Sequence, residues 1–96
     1  INNHVLGMVR QWQTLFYEKH YSATVLDDGV DFVKLAESYG AKGIRVTKTE
    51  EISAAFEEAK KNTKTPTLIE FIIDPEEMVY PMIKPGGTLE DMIMDC

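Results

Sequence analysis

A single cysteine, Cys96, stands at the end of this 96-residue chain. No internal disulfide can form, which fits a reducing compartment. At the last position an incidental thiol is expected rather than a nucleophile. No apolar run approaches the roughly 20 residues that a helix needs to span a bilayer. Basic residues are scarce. Ten Lys and Arg face 16 Asp and Glu, the formal net charge is −6, and no basic cluster exceeds the pair Lys60-Lys61. That balance speaks against nucleic acid, whose phosphates are neutralised by Lys and Arg. Only two histidines, His4 and His20, are present. With the lone cysteine they make no CxxC or HExxH zinc spacing. No Ser, Cys or carboxylate is spaced to build a triad with either, so structural or surface roles are expected for both. There is no repeat, no low-complexity tract, no signal-peptide pattern and no initiator Met.

What is present is ordinary for a globular protein: 44% hydrophobic and 27% charged residues. The length allows one domain or less, and a chain this short buries a small share of its surface. Met8, Trp12, Leu15 and Phe16 recur at helical spacing, which predicts an amphipathic helix over roughly 7–19. The plainest reading of that stripe is core. Residues 21–30 read as a loop, with Asp27-Asp28-Gly29 as turn chemistry. A second helix should begin at a capping Asp31, carry Phe32, Leu35, Ala36 and Tyr39 on one apolar face, and end at Gly40. Gly43-Ile44-Arg45-Val46 alternates briefly like a strand. Thr47-Lys48-Thr49-Glu50 matches a capping box. The helix that follows has Ile52, Ala55, Phe56 and Ala59 on its buried face and Glu51, Glu57, Glu58, Lys60 and Lys61 on its solvated side.

After Pro66, the run Thr67-Leu68-Ile69-Glu70-Phe71-Ile72-Ile73 is almost continuously apolar, as in a strand covered on both faces. Asp74-Pro75 stops it. A stretch rich in Pro and Gly continues through Gly87, and Thr88-Leu89-Glu90-Asp91 is expected to cap a short last helix with Leu89, Met92 and Ile93. With a shortened strand at Ile1, the order implies an α/β fold, a mainly parallel sheet with helices on its faces. Ligands in such folds sit beyond the carboxyl ends of strands. That places Asn2 and Asn3 on the ligand-binding edge.

Asparagine amides and backbone carbonyls are neutral oxygen donors. They suit a hard ion such as Mg²⁺ that already holds anionic phosphates. An Asn pair alone is weak evidence, since a structural turn is the default reading. Its context is more specific: an apolar lead-in, then Leu6-Gly7-Met8-Val9-x-Gln11-Trp12. Asp27-Asp28 and Glu50-Glu51 read as paired carboxylates only if a turn and a helix N-terminus did not explain them more simply. Gly86-Gly87 before Thr88 fits either an anion cradle or a tight turn.

The opening run resembles the second half of the thiamine-diphosphate (ThDP) motif in acetohydroxyacid synthase catalytic subunits. The resemblance extends through Leu15-Phe16-Tyr17-Glu18, Tyr21-Ser22-Ala23-Thr24, Asp31-Phe32-Val33-Lys34-Leu35-Ala36-Glu37, Lys42-Gly43-Ile44-Arg45-Val46 and Val79-Tyr80-Pro81-Met82, in family order. His20 in place of Arg and Gly29-Val30-Asp31 in place of Asn-Pro-Asp depart from the pattern. The resemblance implies that residues 1–96 are the C-terminal half of a three-layer α/β/α ThDP-binding domain. The first motif half, Gly-Asp-Gly, belongs upstream, so the chain is expected to be a piece of an enzyme, inactive alone.

Carried over by position, Asn3 gives a side-chain oxygen and Val5 a backbone carbonyl to Mg²⁺. Asn2, Leu6, Gly7 and Met8 complete the cofactor-binding stretch. Met8, Val9 and Trp12 line the substrate channel. No catalytic residue falls within the chain. Residues 7–20 are expected to be a mobile segment, and 82–96 a C-terminal lid. The implied reaction is decarboxylation of pyruvate and carboligation to a second pyruvate or to 2-oxobutyrate, giving 2-acetolactate or 2-aceto-2-hydroxybutyrate in branched-chain amino-acid biosynthesis. FAD, in a middle domain, is a further cofactor of anabolic members. Implied partners are the rest of the catalytic subunit, a second copy in a homodimer or tetramer, and a small regulatory subunit. The implied place is the bacterial cytoplasm, or a plastid or mitochondrion in a eukaryote. Two other readings stay open: a different ThDP-dependent decarboxylase or carboligase, and a non-catalytic acidic α/β interaction module with a self-contained core.

Overall fold

The computed structural model describes residues 1–26 and 29–95. The turn read at Asp27-Asp28 and the thiol of Cys96 lie outside the described residues. The regular elements are α1 (Gly7–Phe16), α2 (Phe32–Ser38), β1 (Lys42–Val46), α3 (Ile52–Lys61), β2 (Thr67–Phe71), β3 (Met82–Ile83) and β4 (Met92–Ile93).

β1 and β2 pair in parallel, from Lys42 opposite Thr67 to Val46 opposite Phe71. The expected strand at Ile1 is a single parallel bridge, Asn2 to Ile72, on the other edge of β2. There Asn2 N donates to Phe71 O at 2.8 Å and Ile73 N to Asn2 O at 3.0 Å. β2 is therefore central. Residues opposite one another share a face, and successive residues alternate between faces. Gly43, Arg45, Leu68 and Glu70 look one way; Ile44, Val46, Ile69 and Phe71 look the other. α3 covers the second face, with the rings of Phe56 and Phe71 5.9 Å apart and Ala55 and Val46 buried. α2 covers the first so closely that a Cβ on Gly43 would stand 2.7 Å from Val33 Cγ1 and 2.9 Å from its carbonyl oxygen. One helix on each face of a parallel pair is the α/β/α layering expected from the sequence.

Local signals explain most element ends. Asp31 caps α2, its carboxylate accepting from Lys34 N at 3.1 Å. Gly40 takes the left-handed conformation at φ 79° just past the helix. Three expectations are corrected. α1 stops at Phe16 rather than Lys19. Glu18 and Lys19 turn left-handed, and Lys19 N returns to Gln13 O at 3.0 Å, so the helix end is closed without glycine. The cap before α3 is shifted by one residue. The Glu51 carboxylate, not that of Glu50, accepts from Thr47 N at 2.9 Å and Lys48 N at 3.3 Å, and a 3-10 turn over Thr49–Glu51 leads into the helix.

The last helix is not formed. Leu89–Asp91 is one 3-10 turn, and Met92–Ile93 instead pairs antiparallel with Met82–Ile83. Lys84-Pro85-Gly86-Gly87 brings those strands together. Gly87 N donates to Lys84 O at 2.9 Å, with Gly86 at φ 76°, as a Pro-Gly turn of type II requires. Gly86-Gly87 is thus a turn rather than an anion cradle.

The core is thin. Among the described residues only Ala36, Val46 and Ala55 are buried apolar side chains, and no large side chain is wholly enclosed. The expected apolar face of α2 is mostly open, with Tyr39 84% exposed and Phe32 and Leu35 also exposed. Leu68 on β2 is exposed as well. The Cα radius of gyration is 17.3 Å, against about 12.5 Å for a compact chain of this length. A self-contained interaction module would close its own core, and this chain does not. Among the described residues, no helix is long and apolar enough to cross a membrane.

Candidate functional site

Beyond the bridge at Asn2 the chain makes two overlapping Asx turns. Asn2 Oδ1 accepts from His4 N at 2.9 Å, and Asn3 Oδ1 accepts from Val5 N at 3.3 Å. His4 is left-handed, at φ 58°, a conformation that is uncommon without glycine but in which His is enriched. Val5 then bridges Val25, flanked by Leu6 N to Thr24 O and Leu26 N to His4 O, both at 2.8 Å. α1 begins two residues later. A Cβ on Gly7 would lie 2.9 Å from Asn3 Nδ2, so glycine lets the Asn3 amide lie against the start of the helix.

This geometry leaves several polar groups available. Among the described residues, no hydrogen bond reaches the Val5 carbonyl, and no side chain caps α1. The first-turn N–H groups of that helix are the usual orphan donors and favour an anion. The bond holding Asn3 Oδ1 is long. Asn2, Asn3, His4 and Val5 line an open cleft of about 800 Å³ that also takes in Asp31 and Arg45. It runs along β2 from Leu68 to Glu70 and reaches the Asn turn past the strand's carboxyl end, where ligands of parallel α/β sheets bind. No group of three or more His, Cys, Asp or Glu suited to a metal occurs among the described residues. A cation here would rest on neutral oxygens and on the anions it brought with it. Asn3 and Val5 fit that donor set.

Under the Asn turn lies a charged strut that sequence reasoning missed. Glu70 is only 5% exposed. Its Oε1 accepts from Asn2 Nδ2 at 2.7 Å and its Oε2 from Arg45 Nε at 2.8 Å. Arg45 Nη2 continues to Asp31 Oδ1 at 2.6 Å. Burial pushes the Glu70 carboxyl up, but the Asn2 amide and the Arg45 guanidinium outweigh it and hold the group below its usual range. Asp31 is also held low, first by the Lys34 N–H and then by Arg45. The signal was in the sequence: Glu70 is the one charge in an otherwise apolar strand.

α1 departs from the core-stripe expectation. Met8, Val9 and Trp12 are between 42% and 45% exposed, whereas Gln11 is 3% exposed. Gln11 Nε2 donates to Val79 O at 2.9 Å, and Val79 N donates to Gln11 Oε1 at 2.8 Å. The amide thus pairs with a backbone as another strand would. Arg10 pairs with Glu76 and stacks over Tyr21 at 3.9 Å. The helix is therefore anchored by polar bonds to the stretch after β2. Val9 and Trp12 line a second cleft of about 550 Å³, with Phe16, Tyr17 and His20. Of the positions expected at a site, Asn2, Asn3 and Val5 come together at the first cleft, with Gly7 against Asn3. Leu6 is exposed beside them, and Met8 lines neither cleft.

The thiamine pyrophosphate enzyme C-terminal TPP-binding domain matches residues 1–71, from the Asn pair to the end of β2. The chain is 46% identical over 96 residues to the acetolactate synthase large subunit of Corynebacterium glutamicum, covering 96% of this chain and 15% of that protein. It is 46% identical over 93 residues to the mitochondrial acetolactate synthase catalytic subunit of Saccharomyces cerevisiae, covering 97% and 13%. It is 44% identical over 92 residues to a probable acetolactate synthase large subunit of Methanocaldococcus jannaschii, covering 96% and 15%. The chain thus spans about a seventh of the length of these curated relatives, and within that span it belongs to the C-terminal TPP-binding domain family of thiamine pyrophosphate enzymes.

Proposed function

We propose that this chain forms the Mg²⁺- and diphosphate-holding part of the cofactor site of an acetolactate synthase, with the rest of the catalytic subunit completing it. The observation that carries this reading is the run from Asn3 to Gly7. It sets a side-chain amide, an unbonded carbonyl and an uncapped helix start around one point at the carboxyl end of the sheet. Asn3 Oδ1 and the Val5 carbonyl would hold the metal. The backbone of Leu6, Gly7 and Met8 would hold the diphosphate, and Asn2 supports the turn. ThDP, when bound, supplies the electron sink for decarboxylating pyruvate and joining the product to a second 2-oxoacid.

The chain's own work is binding, orientation and exclusion of water. Met8, Val9 and Trp12 form a wall of the channel to the reacting carbon, and the bulk of Trp12 shapes the pocket for pyruvate or 2-oxobutyrate as acceptor. Residues 7–20 are a mobile segment and residues 82–96 a lid that closes with it; the bond from Gln11 Nε2 to Met82 Sδ at 3.2 Å, beside the pairing with Val79, supports joint movement. Closure would shield the site from water. The intact enzyme has a second catalytic subunit in a dimer or tetramer; FAD and a small regulatory subunit are further components that it can carry. Its compartment is the cytoplasm in a bacterium and a plastid or mitochondrion in a eukaryote.

The test is acetolactate formation by the full-length protein supplied with ThDP, Mg²⁺ and pyruvate. Activity is expected there and none from the 96-residue chain alone. Asn3→Ala in the full-length protein should weaken Mg²⁺-dependent ThDP binding at least about tenfold. A full-length protein that binds ThDP but forms no acetolactate would overturn the reading. If substitution of Trp12 leaves discrimination between pyruvate and 2-oxobutyrate unchanged, another ThDP-dependent carboligase becomes the better assignment.

A further inference from the structure

We propose that Glu70 is the positioning residue of the cofactor-binding turn, and that the strut Glu70–Arg45–Asp31 sets the affinity of the Asn turn for its metal and diphosphate. The proposal rests on the functional reading above, and the experiment separates failure of the two.

A carboxylate on the central strand, in an apolar run, is costly to bury unless both oxygens are paired. Both are: one takes the Asn2 amide at 2.7 Å, the other Arg45 Nε at 2.8 Å. The chemistry of that pairing gives it a direction. An Asn side chain has an oxygen and a nitrogen of nearly equal shape, and only its partners decide which way it faces. An ionised carboxylate accepts and cannot donate, so Glu70 selects the NH₂ side of Asn2. Asn2 Oδ1 is then turned toward His4 N, 2.9 Å away. That bond holds His4 at its left-handed φ of 58°, and His4 leads directly into the Val5 carbonyl. The orientation of the proposed ligands is therefore set from beneath by a residue that touches neither metal nor cofactor. Arg45 keeps Glu70 ionised and in place. Asp31, at the cap of α2, holds the far end of Arg45 at 2.6 Å. Metal sites depend on such outer partners, whose loss typically weakens affinity 10- to 100-fold.

A strut that only stiffened the sheet would change stability and leave cofactor affinity alone. The experiment therefore reads equilibrium binding of ThDP with Mg²⁺ to the full-length protein, by calorimetry, well below the unfolding temperature of each variant. Glu70→Gln can present an NH₂ group to Asn2 and loses its charge against Arg45. We expect it to bind roughly tenfold more weakly. Arg45→Met should lose less. Asp31→Ser, which still caps α2, should lose less again, so the effect declines along the strut. Asn2→Ser removes what Glu70 orients, so adding Glu70→Gln to it should cost little further affinity.

Undiminished affinity in Glu70→Gln overturns the proposal, as does full additivity with Asn2→Ser. Should Glu70→Gln fail to fold, unchanged affinity in both Arg45→Met and Asp31→Ser overturns it equally. A wild-type protein that does not bind ThDP would overturn the functional reading instead, and this inference with it.

Discussion

Two regions of the molecule are held together by different forces. In the unit from β1 through α3 to β2, residues 42–71, the fold rests on a regular parallel ladder and close contacts between small side chains. Val46 and Ala55 are buried there, and Gly43 lies under Val33 of α2. The connection is short and its signals are local. α1 and the stretch after β2 are joined otherwise. Their main tie is one buried amide, Gln11, paired with a backbone 68 residues away, helped by Arg10 and Glu76. Apolar packing yields gradually when perturbed. A clamp of a few hydrogen bonds opens as a unit, because all of them pass through the one Gln11 amide. The region bearing the proposed mobile segment and lid is thus the one whose attachment is both specific and breakable.

The sheet unit can be challenged most strongly at Gly43. In Gly43→Ala the new Cβ meets Val33 Cγ1 at 2.7 Å and the Val33 backbone oxygen at 2.9 Å. The side chain can rotate, but the backbone oxygen cannot move without lifting α2. We expect a loss of about 2–3 kcal/mol, the upper part of the range for overpacking. It should appear as faster amide exchange across residues 32–46 in the full-length protein. Wild-type protection there would mean that the layers are not in close contact and that the two regions differ less than argued.

Gln11→Ala comes next. It deletes both bonds to Val79 and the one to Met82 Sδ, leaving the Val79 backbone to water. A cost of about 2 kcal/mol is expected, roughly a 30-fold rise in amide exchange. The rise should fall over residues 7–16 and 76–83, with β1 and β2 unaffected. Equal loosening of β1 and β2 would show that the two regions form one cooperative unit.

The same division explains what the sequence could disclose. β1, the Asp31 cap, the stop at Gly40 and the strand after Pro66 were legible because a few neighbouring residues specify them. The order of strands and helices also placed Asn2 and Asn3 past the end of a strand, where they and Val5 line one cleft. Gln11 was hidden because its partner is a backbone 68 positions away, which no periodicity marks. The end of α1 was hidden because Glu18 and Lys19 turn left-handed without glycine. β3 and β4 are two residues each, too short for a pattern. Glu50 and Glu51 are adjacent, so spacing alone could not choose which one caps.

The smallest effect concerns a device that both regions share. Glu51 caps the start of α3, and its carboxyl is held low first by the Thr47 N–H, then by Lys48 N–H. Asp91 closes the last turn, accepting from Thr88 N at 2.9 Å, and is held low by that N–H and then by the charge of Lys84. In both, the folded state binds its proton more weakly than the unfolded state does. Each contribution is therefore complete above the ordinary carboxylate range. It is lost as pH falls through the lowered folded value. Glu51→Gln and Asp91→Asn should accordingly loosen their own turns at neutral pH and match wild type once acid has protonated the carboxyls. Amide exchange at residues 47–55 and 84–93, followed against pH, reads the two separately. Loosening near Asp91 should remain within the turn, because nothing cooperative lies behind it. Loosening at Glu51 should be damped by the packing of Ala55 and Phe56 against the sheet. If acid opened both segments to the same extent, the packing behind α3 would not be supporting its cap, and the contrast between the two regions would reduce to sequence distance alone.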